Sequence, residues 1–273
     1  MEQRRITFQD TERRYVLIPP ENPEDTPQDL LLVFHGSLQS PNVIRRFTDF
    51  TFDALASCNT VMAYPGGIHN HFNDARKHLP EKTRELGTDD VGFTQAVVDE
   101  LRKEYNIGRI FACGYSNGGQ MVLRLLFDAP GLLSGAAVFA AILAAGENLA
   151  PTNPIEAYQP TPLLMIHGTL DDKAPYEGGM AGIHAKRTRG EVLSAPATGE
   201  FFAERNDAGT AEITNPYPDV EVTTWPGDNR VELWTVQDMG HVVPSGKELD
   251  PRLGKNTDSF TAAEVIAEFF ELT

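Results

Sequence analysis

Seven short segments of the chain are almost continuously apolar. Unbroken apolar runs of this length are typical of strands in a parallel sheet that helices cover on both faces. The pattern therefore predicts β-strands at residues 14–18, 30–34, 61–64, 109–113, 136–142, 163–166 and 231–236.

Helical patterns lie between several of these runs. Residues 89–105 place apolar side chains along one stripe, with Thr88 as a candidate N-cap and Asn106 as a candidate end. Residues 117–127 are apolar on nearly every side, which predicts a buried helix, and a last helix is expected over residues 261–272. The alternation of strands and helices predicts the α/β class, with a mostly parallel central sheet flanked by helices on both faces.

The length of 273 residues suits a single α/β domain that spans residues 1–273. Residues 173–229 are less regular and contain clusters of glycine, proline and polar residues. We expect this segment to be either a cap over the active site or an extended connection.

The composition is strongly acidic, with 23 lysines and arginines against 39 aspartates and glutamates and a formal net charge of −16. Such a surface repels phosphate backbones and anionic lipid headgroups. We therefore expect no nucleic-acid or membrane partner, and a small-molecule substrate that is neutral or cationic. Solubility or a high-salt habitat would explain the charge equally well, and the sequence leaves the oligomeric state open.

The first twenty residues are charged and contain no apolar run of signal-peptide length, and no segment reaches membrane-spanning length. We expect a cytoplasmic protein, with a secreted protein whose leader has been removed as the alternative. Cys58 and Cys113 are the only cysteines. They are expected to be two buried thiols, or else a single bridge.

The strongest chemical signal is Gly114-Tyr115-Ser116-Asn117-Gly118, a G-x-S-x-G sequence between a predicted strand and a predicted helix. In this context it is typical of a nucleophile elbow, where small neighbours allow a tight turn that exposes the serine hydroxyl. Ser116 is therefore the candidate nucleophile. The backbone N–H of Asn117, at the helix N-terminus, is the candidate first oxyanion donor.

A second oxyanion donor is expected from the loop after an earlier strand, where residues 30–34 run into His35-Gly36. The backbone N–H of Ser37 or Leu38 would supply it, since Gly36 permits close approach. An ordinary strand-to-loop turn is the alternative.

The acid and the base are expected to follow the serine in the chain order Ser, Asp, His. Asp171 and Asp172 both follow a predicted strand, and either carboxylate is suited to accept a histidine N–H. His184 and His241 are the histidines after them. The loop position of His241, after the last core strand, favours it as the base, whereas His167 is expected to be structural.

A metal site is the weaker alternative. His69, His71, Asp74 and His78 lie close together in the sequence and are chemically suited to zinc, but they fall in a loop without a supporting cysteine pattern. We therefore expect no bound metal. No nucleotide-binding glycine motif follows the first strand, so we also expect no cofactor.

The chain resembles the polyhydroxybutyrate depolymerase and feruloyl esterase-like group of α/β hydrolases over about residues 14–246. The matching segments include Val33–Ser40, Tyr64–Gly67, Phe72-Asn73-Asp74, Asp89–Phe93, Ser116-Asn117-Gly118-Gly119, His167-Gly168-Thr169-Leu170-Asp171, Pro175–Gly179 and Gly240-His241. The resemblance implies an α/β-hydrolase fold and a catalytic triad of Ser116, Asp171 and His241. It also implies an oxyanion amide at Ser37 or Leu38.

The chain departs from that group in two segments. Val242-Val243-Pro244 stands where many members have a tryptophan, and Phe72 replaces the tryptophan of Trp-Asn-Asp. These departures favour a small soluble ester over an extracellular polymer. We therefore predict a serine carboxylesterase that hydrolyses esters of small or aromatic acids, of feruloyl-esterase or hydroxyalkanoate type, through an acyl-enzyme. A peptidase, an acyltransferase and a non-catalytic binding protein are the alternatives.

Overall fold

The computed structural model describes residues 1–21, 26–182 and 188–272. In this part of the chain there are twelve strands and six α-helices. The strands are Glu2–Phe8 (β1), Thr11–Ile18 (β2), Gln28–Phe34 (β3), Thr60–Pro65 (β4), Ile107–Tyr115 (β5), Gly135–Phe139 (β6), Leu163–Gly168 (β7), Gly179–Gly182 (β8), Thr188–Val192 (β9), Glu212–Tyr217 (β10), Val220–Trp225 (β11) and Val231–Val236 (β12). The helices are Pro41–Phe47 (α1), Lys82–Glu85 (α2), Asp90–Glu104 (α3), Asn117–Asp128 (α4), Ala195–Arg205 (α5) and Ala262–Phe269 (α6).

Ten of these strands form one sheet in the order β1-β2-β4-β3-β5-β6-β7-β12-β11-β10. The pairs from β4 to β12 are parallel, and the pairs at both edges are antiparallel. The predicted mostly parallel sheet is therefore confirmed. All its central strands end at the same edge, so loops that follow β3, β5, β7 and β12 meet there.

The core lies on both faces of this sheet. One apolar cluster packs α3, α4 and α5 against the sheet and includes Phe93, Met121 and Phe202. The other packs α1 and α6 against the opposite face and includes Ile44 and Ile266. Because helices cover both faces, β4, β6 and β7 are buried along their whole length and β3 and β5 over most of theirs, which explains the unbroken apolar sequences of these strands.

The seven predicted strands correspond to β2–β7 and β12, but one predicted strand is too long. β6 ends at Phe139 instead of residue 142, because Ala140 has a positive φ of 48° and turns the chain out of the sheet. The expected N-cap of α3 is also corrected. Asp89, not Thr88, caps this helix, since its carboxylate accepts the N–H of Gly92 at 2.8 Å.

The irregular segment 173–229 contains a two-stranded antiparallel sheet, a helix and two sheet strands. β8 and β9 pair with each other, α5 packs against β12 and β7, and β10 and β11 extend the main sheet at one edge. Across the described ranges, no helix combines the length and the apolar character needed to cross a membrane. Cys58 and Cys113 are both free thiols, so the alternative of a single bridge is wrong. Cys113 is buried as expected, whereas Cys58 is only partly buried.

Candidate active site

Ser116 lies in a tight turn between β5 and α4, in a backbone conformation that residues other than glycine rarely adopt. Its φ is 53° and its ψ is −115°. The two flanking glycines are required by the packing. A Cβ at Gly114 would lie 2.3 Å from the carbonyl oxygen of Gly118, and one at Gly118 would lie 2.2 Å from that of Phe34. Strain of this kind is characteristic of functional turns and projects the Ser116 hydroxyl from the sheet edge.

The structure brings together the three side chains that the sequence selected. The Nε2 atom of His241 lies 2.9 Å from the Oγ of Ser116. Its Nδ1 atom lies 2.7 Å from Oδ2 of Asp171. These residues follow β5, β12 and β7, so the parallel sheet places them side by side although they are far apart in the chain.

Asp171 is buried and its carboxylate is held by backbone donors. Its Oδ1 atom accepts the N–H groups of Lys173 and Ala174, each at 2.8 Å. Burial opposes ionisation, but the neighbouring His241 and these hydrogen bonds together hold the pKa of Asp171 below its ordinary value. Asp171 is therefore an anion at neutral pH, suited to orient His241.

The alternatives for the acid and the base are resolved differently. Asp172 is exposed and forms an ion pair with Lys173 at 2.7 Å, so it does not compete with Asp171 for His241. His184, the alternative base, lies outside the described residues.

His167 is buried beside the acid and was expected to be structural. Its Nε2 donates to the carbonyl of Ala174 at 2.8 Å and lies 3.4 Å from Oδ2 of Asp171. Burial lowers the pKa of His167, which keeps it neutral and leaves the negative charge of Asp171 for His241. This side chain holds the loop that carries the acid.

The loop that carries His241 is fixed by close backbone contacts. The N–H of His241 donates to the carbonyl of Leu253 at 2.6 Å. A Cβ at Gly240 would lie 2.1 Å from that same oxygen, which explains the glycine before the histidine. The hydroxyl of buried Tyr115 donates to the carbonyl of His241 at 2.7 Å. The sequence singled out Tyr115 only as a variable position of the G-x-S-x-G motif and so missed this role.

The two predicted oxyanion donors are placed unequally. Asn117 is the first residue of α4, where a backbone N–H has no partner within the helix. The N–H of Leu38 instead donates to the carbonyl of Asn70 at 2.9 Å. This N–H is therefore not available to an oxyanion, and the prediction of Leu38 as a donor is wrong. The N–H of Ser37 has no acceptor among the described residues and remains the candidate. No sequence pattern predicts that the carbonyl of Asn70 accepts a hydrogen bond from the N–H of Leu38.

The histidines of the alternative metal site are dispersed. His69 and His78 are exposed, whereas His71 is buried. Asp74 is already bound by the guanidinium of Arg76, with Nη2 to Oδ2 at 2.6 Å. Among the residues that the structure describes, no three His, Cys, Asp or Glu side chains are grouped so that they could hold a metal ion.

A pocket of about 310 Å³ opens beside the Ser116–His241 pair. The Ser37–Gln39 loop forms one side of it, and residues around β8 and β9 form another. Arg76 and Arg189 also line it, although both side chains are buried. No sequence signal points to these two arginines, because neither lies in a recognisable motif and they are 113 positions apart.

The site has the parts that acyl transfer requires. A hydroxyl lies next to an imidazole, and a carboxylate orients that imidazole. Ser37, which carries a candidate oxyanion N–H, lines the same pocket as Ser116. Such an arrangement can deprotonate the serine and stabilise an oxyanion without any metal-binding side chains.

A family comparison bears on this geometry. Residues 21–188, more than half of the chain, match the model of a family described as phospholipase/carboxylesterase.

Curated relatives cover part of the chain. A protein named as the esterase NocK, from Nocardia uniformis subsp. tsuyamanensis, is 31% identical over 161 residues, which are 58% of this chain and 44% of that protein. The bifunctional acetylxylan esterase/xylanase XynS20E of Neocallimastix patriciarum is 30% identical over 54% of this chain and 20% of its own. Carboxylesterase SOBER1 of Arabidopsis thaliana is 33% identical over 40% of this chain and 50% of its own. The chain thus spans about half or less of the length of these relatives.

Solved structures give the fold. The acetyl xylan esterase from Aspergillus awamori superposes with a TM-score of 0.69 and 15% identity, covering 100% of both chains. Est1E from Butyrivibrio proteoclasticus superposes with a TM-score of 0.54 and 13% identity over 88% of this chain and 90% of its own. At these identities the likeness concerns the fold alone, and the predicted α/β-hydrolase fold is confirmed.

Proposed function

The chain belongs to the phospholipase/carboxylesterase family, and from that premise we propose that it is a serine carboxylesterase acting through an acyl-enzyme. The observation that carries the proposal is the pair of hydrogen-bond distances at His241, 2.9 Å to Ser116 and 2.7 Å to Asp171.

The geometry supports a two-step mechanism. His241 accepts the proton of Ser116 through Nε2 while the serine oxygen attacks the ester carbonyl. Asp171 stabilises the imidazolium through Nδ1–H, and the amides of Asn117 and Ser37 bind the oxyanion. His241 then protonates the departing alcohol. In the second step His241 takes a proton from water while the water oxygen attacks the acyl carbonyl. The bond to the serine oxygen then breaks, the acid leaves, and the proton on His241 returns to Ser116.

Pocket size favours small substrates. Ligand sites usually enclose about 300–1,000 Å³, and this pocket of about 310 Å³ lies at the lower end of that range. The pocket therefore suits esters of small or single-ring aromatic acids. The resemblance to the polyhydroxybutyrate depolymerase and feruloyl esterase-like group supports hydroxyalkanoate or feruloyl esters within this class.

An activity panel tests the proposal. Purified protein is assayed with 4-nitrophenyl butyrate, methyl ferulate, hydroxybutyrate oligomers and a peptide amide, and is labelled with a fluorophosphonate. We expect ester hydrolysis, and labelling at Ser116 that the Ser116→Ala variant lacks. Faster cleavage of the peptide would favour a peptidase, and ester products with an added alcohol would favour an acyltransferase. Absence of both labelling and turnover would leave a binding protein.

A second candidate is removal of acetyl groups from a polysaccharide. It is favoured by the acetylxylan esterase name of the Neocallimastix relative, which is 30% identical over 152 residues. Acetate release from acetylated xylan, compared with release from 4-nitrophenyl acetate, separates the two candidates. A preference for the polymer would replace the small-ester proposal.

A further inference from the structure

Two arginines form a buried wall of the candidate active-site pocket. Arg76 is 5% exposed and Arg189, on β9, is also 5% exposed. Both contribute to the lining of the pocket that contains Ser116. Burying a guanidinium is costly unless anionic partners surround it, so two such groups beside one cavity require an explanation.

Arg189 lies close to the reaction centre. Its Nη1 donates to the hydroxyl of Ser37 at 2.7 Å, and Ser37 carries the candidate oxyanion amide. Its Nη2 donates to Glu81 Oε1 at 3.0 Å. A substrate whose carbonyl oxygen sits at Ser37 would therefore bring groups a few bonds away within reach of this guanidinium.

Arg76 is bound by the carboxylate of Asp74, whose acceptor positions are all taken by hydrogen bonds within the chain. Asp74 accepts from Arg76 Nε at 3.1 Å and Nη2 at 2.6 Å, from the backbone N–H of Arg76 at 2.9 Å, and from the Nδ2 of Asn117 at 2.8 Å. The Nη1 group of Arg76 has no hydrogen-bond acceptor among the described residues. This arrangement fixes one edge of the guanidinium and leaves a donor for a ligand in the pocket.

The charges of this region do not balance among the described residues. Three guanidinium groups, Arg76, Arg84 and Arg189, lie near two carboxylates, Asp74 and Glu81. The Nη2 of Arg84 donates to the backbone carbonyls of Asp74 and Arg76 and forms no ion pair there. Burial, together with the positive charge of Arg76, lowers the pKa of Arg189 to about 10, which still leaves Arg189 charged at neutral pH.

The cationic wall contrasts with the acidic chain around it, whose formal net charge is −16. The whole-chain charge predicted neutral or cationic substrates, but the charge next to Ser116 is what a bound substrate meets. A substrate bound in the pocket interacts more strongly with these nearby guanidinium groups than with the surface carboxylates, because water and salt screen the surface charges.

We propose that Arg76 and Arg189 bind a carboxylate group carried by the ester substrate, a few bonds from the scissile carbonyl. The proposal rests on the esterase function above and specifies its substrate class. Arginine suits this role because its planar donors match the two oxygens of a carboxylate. Two sources satisfy the chemistry: half-esters of dicarboxylic acids, with the carboxylate on the acyl side, and acylated hydroxy acids, with it on the alcohol side.

The test compares substrates that differ only in this charge. Monomethyl glutarate is paired with its amide, methyl glutaramate, and 3-acetoxypropanoate is paired with 3-acetoxypropanamide. We expect kcat/KM for the carboxylate member of one pair to exceed that of its amide at least about tenfold, the size of one charge-assisted hydrogen bond. The pair that shows the preference identifies the side of the ester.

Substitutions of Arg76 and Arg189 test whether these two residues cause the preference for the carboxylate substrate. In Arg76→Gln and Arg189→Gln the ratio of kcat/KM for the carboxylate substrate to kcat/KM for its amide should fall toward one. Arg76→Lys should retain part of the preference for the carboxylate. Arg45→Gln is the matched control, because Arg45 is 9% exposed, pairs with Asp53 at 2.6 Å and does not line the pocket. Loss of folding lowers both members of a pair equally, so the ratio is insensitive to it.

Binding provides a second measurement. Glutarate binding to wild type and to the two glutamine variants is followed by calorimetry. Ester turnover without any carboxylate preference, or a preference unchanged in the variants, overturns the proposal and leaves the esterase function intact. Arginine-dependent glutarate binding without turnover of any ester supports the carboxylate site and rejects the esterase function. Absence of both binding and turnover rejects both.

Discussion

The turn at Ser116 and the hairpin of β8 and β9 face the same pocket but are built differently. Residues Asn117–Leu123 of α4 are all buried, and the turn is fitted against the backbone of β3. Gly179 and Met180 of the hairpin are exposed, Met180 by 54%, and its inner residue Arg189 is held by side-chain hydrogen bonds.

This difference matches the tasks of the two regions, because the turn at Ser116 carries the reacting group whereas β8 and β9 line the space where the substrate binds. Bond-making groups must be held within a fraction of an ångström, and a parallel sheet with a buried helix provides that rigidity. Substrate contacts tolerate variation and commonly lie on connections outside the central sheet. Substitutions at the turn should therefore abolish turnover or folding, while substitutions at the hairpin should change which ester is preferred.

The largest expected effect is at the nucleophile. Ser116→Ala should lower kcat by on the order of a millionfold, because triad residues act as a unit. The substitution keeps the Cβ and should leave the near-ultraviolet circular dichroism unchanged. Turnover of 4-nitrophenyl butyrate above about a thousandth of the wild-type rate would contradict the assignment.

The next effect concerns the acid. Asp171→Asn should reduce kcat about ten-thousandfold, since an amide disfavours the tautomer of His241 that accepts the serine proton. Asp172→Asn is the matched control and should change kcat less than about twofold, because Asp172 is exposed and makes no contact with His241. Equal losses in the two variants would reject the assignment of Asp171.

Adding one methyl group should distinguish the rigidity of the two regions. Gly118→Ala places a Cβ 2.2 Å from a backbone oxygen and should cost more than about 3 kcal/mol of unfolding free energy. At Gly179, with φ of 100°, the Cβ would meet no atom within 4 Å, so Gly179→Ala should cost only about 1–2 kcal/mol of backbone strain. Urea denaturation measures both, and a larger loss at Gly179 would overturn the comparison.

A smaller effect is expected at the hydroxyl that holds the base. Tyr115→Phe leaves the carbonyl of His241 without its donor, which should cost about 1–3 kcal/mol and lower kcat about tenfold. Tyr158→Phe removes a comparable hydrogen bond, 2.7 Å to Asn206, away from the pocket. It should reduce the melting temperature without changing kcat. A fall in kcat of the same size in both variants would deny Tyr115 a positioning role.

The smallest effect is a pH dependence of stability. The pKa of Asp171 is lower in the folded chain than its ordinary value of 3.8. The folded state therefore binds fewer protons there, and this contribution to stability is present above pH 3.8 and lost as the pH falls through the folded pKa. Chemical denaturation at pH 6 and at stepwise lower pH should show a smaller acid-side loss for Asp171→Asn than for wild type. A steeper loss in the variant would contradict the sign.

Local pattern was informative where apolar side chains mark a strand of the central sheet. The strand at residues 231–236 was predicted with the bounds that the structure has, and the start of α4 at Asn117 followed from the glycines around Ser116. β10 escaped prediction because its side chains are exposed throughout, so no apolar pattern marks it. α1 was missed because it is only seven residues long.

The sequence by itself determined the strands β2–β7 and β12, the helices α3, α4 and α6, and the candidates Ser116 and His241, because apolar runs and short motifs express local requirements of burial and backbone freedom. The family resemblance of the sequence selected Asp171 over Asp172. Only the tertiary structure decided that Asn70 occupies the N–H of Leu38, that Tyr115 holds His241, and that Arg76 and Arg189 share one wall. Those contacts join segments far apart in the chain, and their strength depends on distances and burial that no local pattern encodes.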